Sequence, residues 1–353
     1  MRRSTVVVAA ALAGAAWFLP GGANAATVSP PIADGFAGPL QIAVGATGRI
    51  YVAQDFAGVL SKIGKNGGAS DLVTAPGSEI AGVAAGGDGT VFYTTSIGGS
   101  EESPPTATLL RRVLPNGHAS TVADLKAYEE SVNPDQVNTY GLVGASPSCA
   151  AQWPAEAGPP TYTGIRDSHP YSVALSPGRV YVGEAAGNDI LRVTPDGTIS
   201  TVAVLPPQPV VITAEAAEAN GLPECTVGLT YNFEPVPTDV EVGPHGMLYV
   251  SLLPGGPEDP SLGARGAVYS VNPSTGATHK IAGGFAGATN LALGADGTIY
   301  VSELFADEIA VVQGGATVDT IPLSQPAAVE YARGVLYAST DVFGNGAVVK
   351  ITP

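Results

Sequence analysis

The stretch "IADGFAGPLQIAVGATGRIYVAQ", residues 32–54, returns almost unchanged as "IAGGFAGATNLALGADGTIYVSE", residues 281–303, 249 positions later. Its kernel is an apolar triplet, a tight Gly-containing turn, and then apolar-Tyr-Val. The kernel recurs as "IAVGATGRIYVAQ" from Ile42, "VAAGGDGTVFYTT" from Val83 and "VALSPGRVYVGE" from Val173. It returns as "VEVGPHGMLYVSL" from Val240, "LALGADGTIYVSE" from Leu291 and "VEYARGVLYAST" from Val329. Each copy reads as a hairpin, since two short runs of Val, Ile, Leu and Tyr are bounded by Gly, Asp or Pro.

Most copies are followed by a second hairpin with its own turn, as in "LLRRVLPNGHASTV", "ILRVTPDGTISTV" and "AVYSVNPSTGATHKI". Two hairpins make a four-stranded antiparallel meander. One such sheet cannot cover both its faces, so the units must stack around an axis. The expected fold is therefore all-β: a six-bladed β-propeller of four-stranded antiparallel blades. Two stacked β-sandwiches would not explain why the same hairpin recurs in register. Five hairpins are followed by a fourth strand, while the sixh copy ends at "AVVKITP". The segment "TVSPPIADGF", residues 27–36, is expected to supply the missing outer strand and close the ring.

Residues 1–25 read as a signal peptide. Arg2 and Arg3 precede an apolar run from Val6 to Leu19, and Ala23-Asn24-Ala25 offers a small-x-small cleavage site. That apolar run is shorter than the ~18 residues a membrane span needs. The expectation is a secreted, extracellular chain, with 26–353 forming a single propeller. Without 1–25 there remain 13 basic against 31 acidic residues. Such a balance repels phosphate backbones and anionic lipid surfaces, so neither nucleic acid nor a membrane is an expected partner. Gly (46) and Pro (30) are abundant, yet an apolar fraction of 45% is too high for disorder.

Loops of one parity in a meander emerge on one face. The turns between first and second strands are uniformly tight, and every long connection has the opposite parity. The insertions at 126–166 and 206–235 and the longer loops 96–108 and 252–265 therefore decorate one face. Cys149 and Cys225 lie in the two interblade insertions flanking the third repeat, so they should emerge side by side. In an exported chain they are expected to form a disulfide, with two free thiols as the alternative.

The residues that open the inner strands on that face include Gln41, Asp239 and Asn290, and those that close the second strands include Glu184 and Glu303. This mouth, with Asp239 as the possible metal ligand, could take a weak Ca²⁺ ion or the hydroxyls of a polyhydroxylated ligand. His169, in "DSHPYSVAL", is the one histidine placed where an inner strand begins on the decorated face; structural and ligand-binding roles are both open to it. Glu241 and Glu330 replace Ala43 and Ala292 within inner strands and need a partner or water if buried. No G-x-S-x-G elbow, H-E-x-x-H helix or EF-hand string is present.

The segments "DLKAYEESVNPDQ", "DSHPYSVAL", "GNDILRVTPDGTISTVAVLPP" and "PVPTDVEVGPHGMLYVSLLPGGPEDPSLGARGAVYSVNP" resemble the ScyD/ScyE family of secreted bacterial propeller proteins. The resemblance covers essentially all of 26–353. It implies export and six blades related to NHL-type repeats, and it brings no catalytic residues. Gluconolactonase-like propellers, which hold a divalent metal through one Glu, one Asp and Asn residues, are matched only by Asp239 and Asn290; Gln41 stands where a carboxylate would help. The expected function is an extracellular binding or interaction scaffold, a monomer that uses its long-loop face to hold a carbohydrate, small molecule or protein. A metal-dependent hydrolase or lactonase is the alternative.

Overall fold

The computed structural model describes residues 26–99, 103–257 and 260–352; the expected signal peptide lies outside the described residues. These residues form seven antiparallel sheets, each four strands wide. Six are numbered one to six by their inner strands, Pro39–Val44, Ser78–Ala85, Pro170–Ser176, Pro237–Val242, Ala288–Leu293 and Val329–Ala332; the first five are meanders of four consecutive strands and the sixth has three consecutive strands. The architecture is that of a β-propeller.

Second strands such as Ile50–Gln54 and Ile299–Glu303 are buried at every position. That explains their near-continuous apolar text, because neither face meets water. The apolar side chains gather between sheets and not within them. Val52, Ile63 and Phe36 pack with Tyr337 and Val348 between sheets one and six, and Tyr51, Ala53 and Leu60 pack with Val83 and Tyr93 between sheets one and two. Four further clusters fill the remaining junctions in chain order.

The "DGT" turns have a local cause. Asp88 accepts the Thr90 N–H at 2.9 Å and Asp296 accepts the Thr298 N–H at 3.0 Å. Gly89 and Gly297, at φ 85° and 90°, supply the left-handed step between them.

The segment expected to complete the sixth sheet does pair there. Thr27–Val28 and Ala33–Phe36 lie in line along Gly346–Thr352, with Val28 opposite Ile351 and Phe36 opposite Gly346.

The two interblade insertions hold more structure than loops. They jointly build the seventh sheet, in the spatial order Thr161–Thr163, Thr139–Val143, Thr230–Phe233, Gln208–Val211. Gly141 is opposite Asn232, and Leu142 opposite Tyr231. Three short helices accompany the insertions, the first packed on sheet two, and each has a side-chain cap: Asp124, Ser146 and Thr213 accept N–H groups of their first turns. Cys149 and Cys225 are joined by a disulfide between the two insertions.

Candidate functional site

One repeat position controls the long-connection face. It is the residue just before the point where each inner strand pairs with the end of its second strand, as in Pro39 opposite Gln54, Pro170 opposite Glu184 and Ala288 opposite Glu303. In sheets one and five this residue is Gly38 or Gly287, with positive φ. A Cβ there would lie 2.6 Å or 2.7 Å from the Phe56 or Phe305 ring. In sheets two and three the same position carries Glu79 and His169, and these side chains meet: His169 Nε2 hydrogen-bonds Glu79 Oε1.

The pair lies in a cleft of about 520 Å³, lined also by Ser96, Gly98, Asp167 and Ala186. Burial alone would lower the His169 pKa, but its bond to Glu79 and the charges of Glu79, Glu184 and Asp55 outweigh this and raise it to about 9. Asp55 lies beside Glu79; burial, then the Glu79 carboxylate, push it up to about 8. At neutral pH Asp55 therefore keeps its proton and His169 is an imidazolium, hydrogen-bonded to the Glu79 carboxyl group. Tyr171 presents its ring edge-on to His169 at 5.8 Å. The Ser96 hydroxyl, in the same cleft, is buried with no hydrogen-bond partner.

Glu184 supports this site from beneath. Its carboxylate accepts from the His169 N–H (2.9 Å), the Gly187 N–H (3.1 Å) and the Ser168 hydroxyl. Glu303 does the corresponding work in sheet five, accepting the Ala286 N–H at 2.6 Å, and Gln54 in sheet one accepts from Ala37 at 2.9 Å. These three residues tie the end of a second strand to the connection that enters the same sheet. Glu303 is remote from His169 in the fold, so the six residues singled out from sequence do not form one site.

Gln41, Asp239 and Asn290 are brought together around the axis. Asn290 Nδ2 donates to Gln41 Oε1 (2.8 Å), Gln41 Nε2 to the Thr238 carbonyl (3.1 Å), and Asn290 Oδ1 accepts from Val329 N–H (2.8 Å). Asp239 Oδ2 accepts the Leu291 N–H at 3.1 Å. These residues, with Glu241 and Glu330, line an axial cavity of about 130 Å³. Burial raises Asp239 to about 7 against the Leu291 and Val240 N–H groups, and burial with the Asp239 charge raises Glu330 to about 8. The amides of Gln41 and Asn290 already bridge inner strands and reach the cavity committed to protein partners. Among the described residues no three His, Cys, Asp or Glu side chains converge closely enough to hold a metal ion.

Sequence reasoning missed Asp55 and Glu79. The column of sister repeats carries a signal for both. Asp55 stands where two sister copies bury Leu304 and Ala185 and where the sixth copy carries an exposed Asp341, and Glu79 stands where two copies have glycine.

No protein-family model matches the chain, and no curated protein matches it in sequence. Solved structures do match in fold. A catalytically inactive virginiamycin B lyase from Staphylococcus aureus is 15% identical, with a TM-score of 0.52 over 93% of this chain and 99% of that one. The aldose sugar dehydrogenase of Streptomyces coelicolor is 14% identical, with a TM-score of 0.55 over 93% and 97%. A putative gluconolactonase is 16% identical, with a TM-score of 0.54 over 94% and 92%. At these identities the likeness speaks to the propeller fold and not to an activity.

Proposed function

We propose that this protein is an exported six-bladed propeller of the ScyD/ScyE type that binds an uncharged, polyhydroxylated small molecule in the His169–Glu79 cleft. The cleft itself carries the reading: the Asp55 acid, the Glu79 carboxyl group and the His169 imidazolium offer donors and acceptors side by side, next to a Ser96 hydroxyl with no hydrogen-bond partner. Six blades closed by residues 27–36 fit the six apolar junctions and the pairing along Gly346–Thr352. Export fits the Cys149–Cys225 disulfide, and intact mass of material from culture supernatant should begin at Ala26. A chain retained in cells with residues 1–25 attached would refute export.

A second reading follows from the carboxyl pair. Asp55, kept as an acid by burial and by its neighbour Glu79, is the kind of raised carboxyl group that acid–base catalysis uses, with His169 as the proton carrier. It would make the protein a hydrolase of small esters or lactones.

Calorimetric titration with glucose, galactose, xylose, myo-inositol and δ-gluconolactone separates the two. Saturable binding of a sugar or polyol, weakened about tenfold or more by His169→Gln and Glu79→Gln, is expected. Binding by none of them, or binding indifferent to His169→Gln, would overturn the proposal. Lactone turnover abolished by His169→Gln would put the second reading first.

A further inference from the structure

We propose a second ligand site, for a flat aromatic molecule of about two fused rings, on the sheet built by the two insertions. It is independent of the His169–Glu79 cleft. Trp153 follows the helix Pro147–Ala150, which the Cys149–Cys225 disulfide ties to the other insertion. Its ring stacks on Tyr231, with centroids 5.7 Å apart and planes inclined by 16°. Tyr231 in turn leans on Phe233 at 4.5 Å. Across the outer face of Phe233 lies the Arg265 guanidinium, 4.7 Å from the ring centroid. It is fixed there by bonds to the Gly255 carbonyl (2.6 Å) and the Pro257 carbonyl (2.8 Å).

These rings, with Ile212 and Leu222, line a cavity of about 240 Å³. An apolar cavity of about 150 Å³ suffices for benzene, so this one has room for a second fused ring. Trp153 and Tyr231 are near-parallel and Phe233 is tilted 45° to Tyr231, so a planar guest would meet ring faces and edges and gain aromatic contact beyond its buried area. A sugar suits the cavity poorly. Its principal amide, Asn220, already donates to the Ala216 carbonyl (2.8 Å) and the Ser261 hydroxyl (3.2 Å), and the unpartnered Trp153 indole N–H is a single donor, too little for the several hydroxyls of a sugar.

The test uses the full chain with Trp17→Phe, so that Trp153 is its one tryptophan. The probe is 2-naphthol, followed by calorimetry and by Trp153 fluorescence; cyclohexanol and glucose are the comparators. We expect one saturable site with a Kd of about 100 µM. Cyclohexanol should bind about tenfold more weakly. Tyr231→Leu should weaken 2-naphthol by about the same factor, while His169→Gln should leave it unchanged. Phe233→Leu replaces Tyr231→Leu if that variant does not fold. Lack of saturation at millimolar probe, equal affinity for cyclohexanol, preferential binding of glucose, or indifference to both ring variants would each overturn the site. Loss of binding in His169→Gln would do so too, by moving the event to the cleft.

Discussion

Gln41 and Asn290 occupy the same position in the two copies of the repeated phrase, and they hydrogen-bond each other across the axis at 2.8 Å. The echo heard along the chain is thus also a contact in space. Asn290 additionally holds the Val329 N–H, so one amide links the inner strands of sheets one, five and six.

Replacing Asn290 by Leu strands a buried N–H and the Gln41 carbonyl oxygen. The expected loss is about 2 kcal/mol, read by denaturant unfolding. Gln41→Leu added to Asn290→Leu should cost less than the two single losses combined, because each already breaks the shared bond. Additive losses would show that the amide pair carries no coupling.

Deleting residues 27–36 removes both short strands paired along Gly346–Thr352 and takes Ala33 and Phe36 from the junction of sheets one and six. Several kcal/mol should disappear, roughly 4 or more, since ladder bonds and two buried apolar side chains go together. An unchanged melting temperature would show that the edge of Gly346–Thr352 needs no partner.

Stability should fall on the alkaline side. Burial is the leading cause that raises Asp55, Glu129 and Glu330 to about 8, while the bond and charge of Glu79 and the charges of Glu184 and Asp55 raise His169 to about 9 despite its own burial. Each group binds its proton more tightly in the folded chain. The contribution is therefore complete below the unfolded pKa and is lost as pH rises through the folded one. For the carboxyls that window opens near their ordinary value of about 4, and for His169 near 6.5, closing at about 8 and 9. Melting temperatures should decline from mildly acidic pH to pH 9, and Glu129→Gln should flatten the slope. A melting temperature that holds or rises up to pH 9 would contradict these assignments.

Cys149→Ser with Cys225→Ser opens a 76-residue separation. The chain-entropy model assigns such a closure about 4 kcal/mol. The loss should concentrate in the seventh sheet, so amide exchange at Leu142 and Tyr231 should accelerate far more than at Val52 or Val301. Equal acceleration everywhere would mean that the bond holds the whole fold and not the insertions.

The repeat was legible because each inner hairpin carries its own turn chemistry and is buried on both faces, so the signal is local and recurs in register. The pairing of residues 27–36 followed from a missing strand, and the disulfide from two cysteines of matching parity. The seventh sheet was not legible. Thr139–Val143 pairs with Thr230–Phe233 across the whole of sheet three, with no turn between them to announce it. The site was readable only in part. His169 stood out by type and place, but Glu79 and Asp55 draw their meaning from neighbouring sheets, and a carboxylate beside a strand reads as solvated until its partner is known. Gln41, Asp239 and Asn290 were found by position; that their amides are spent on backbone groups depends on how closely the inner strands approach.

The Cys149–Cys225 bond encloses the whole of sheet three within one covalent loop, and the two insertions zip together above it. If the chain ends were pulled apart, tension would bypass this loop. Sheets one, two, four, five and six would pay out their strands, while 76 residues, about 260 Å of extended chain, stayed off the load path until the disulfide was cut. Under such a load, or before a protease that seizes slack chain, the third sheet and the His169 it carries would be the last part to come undone.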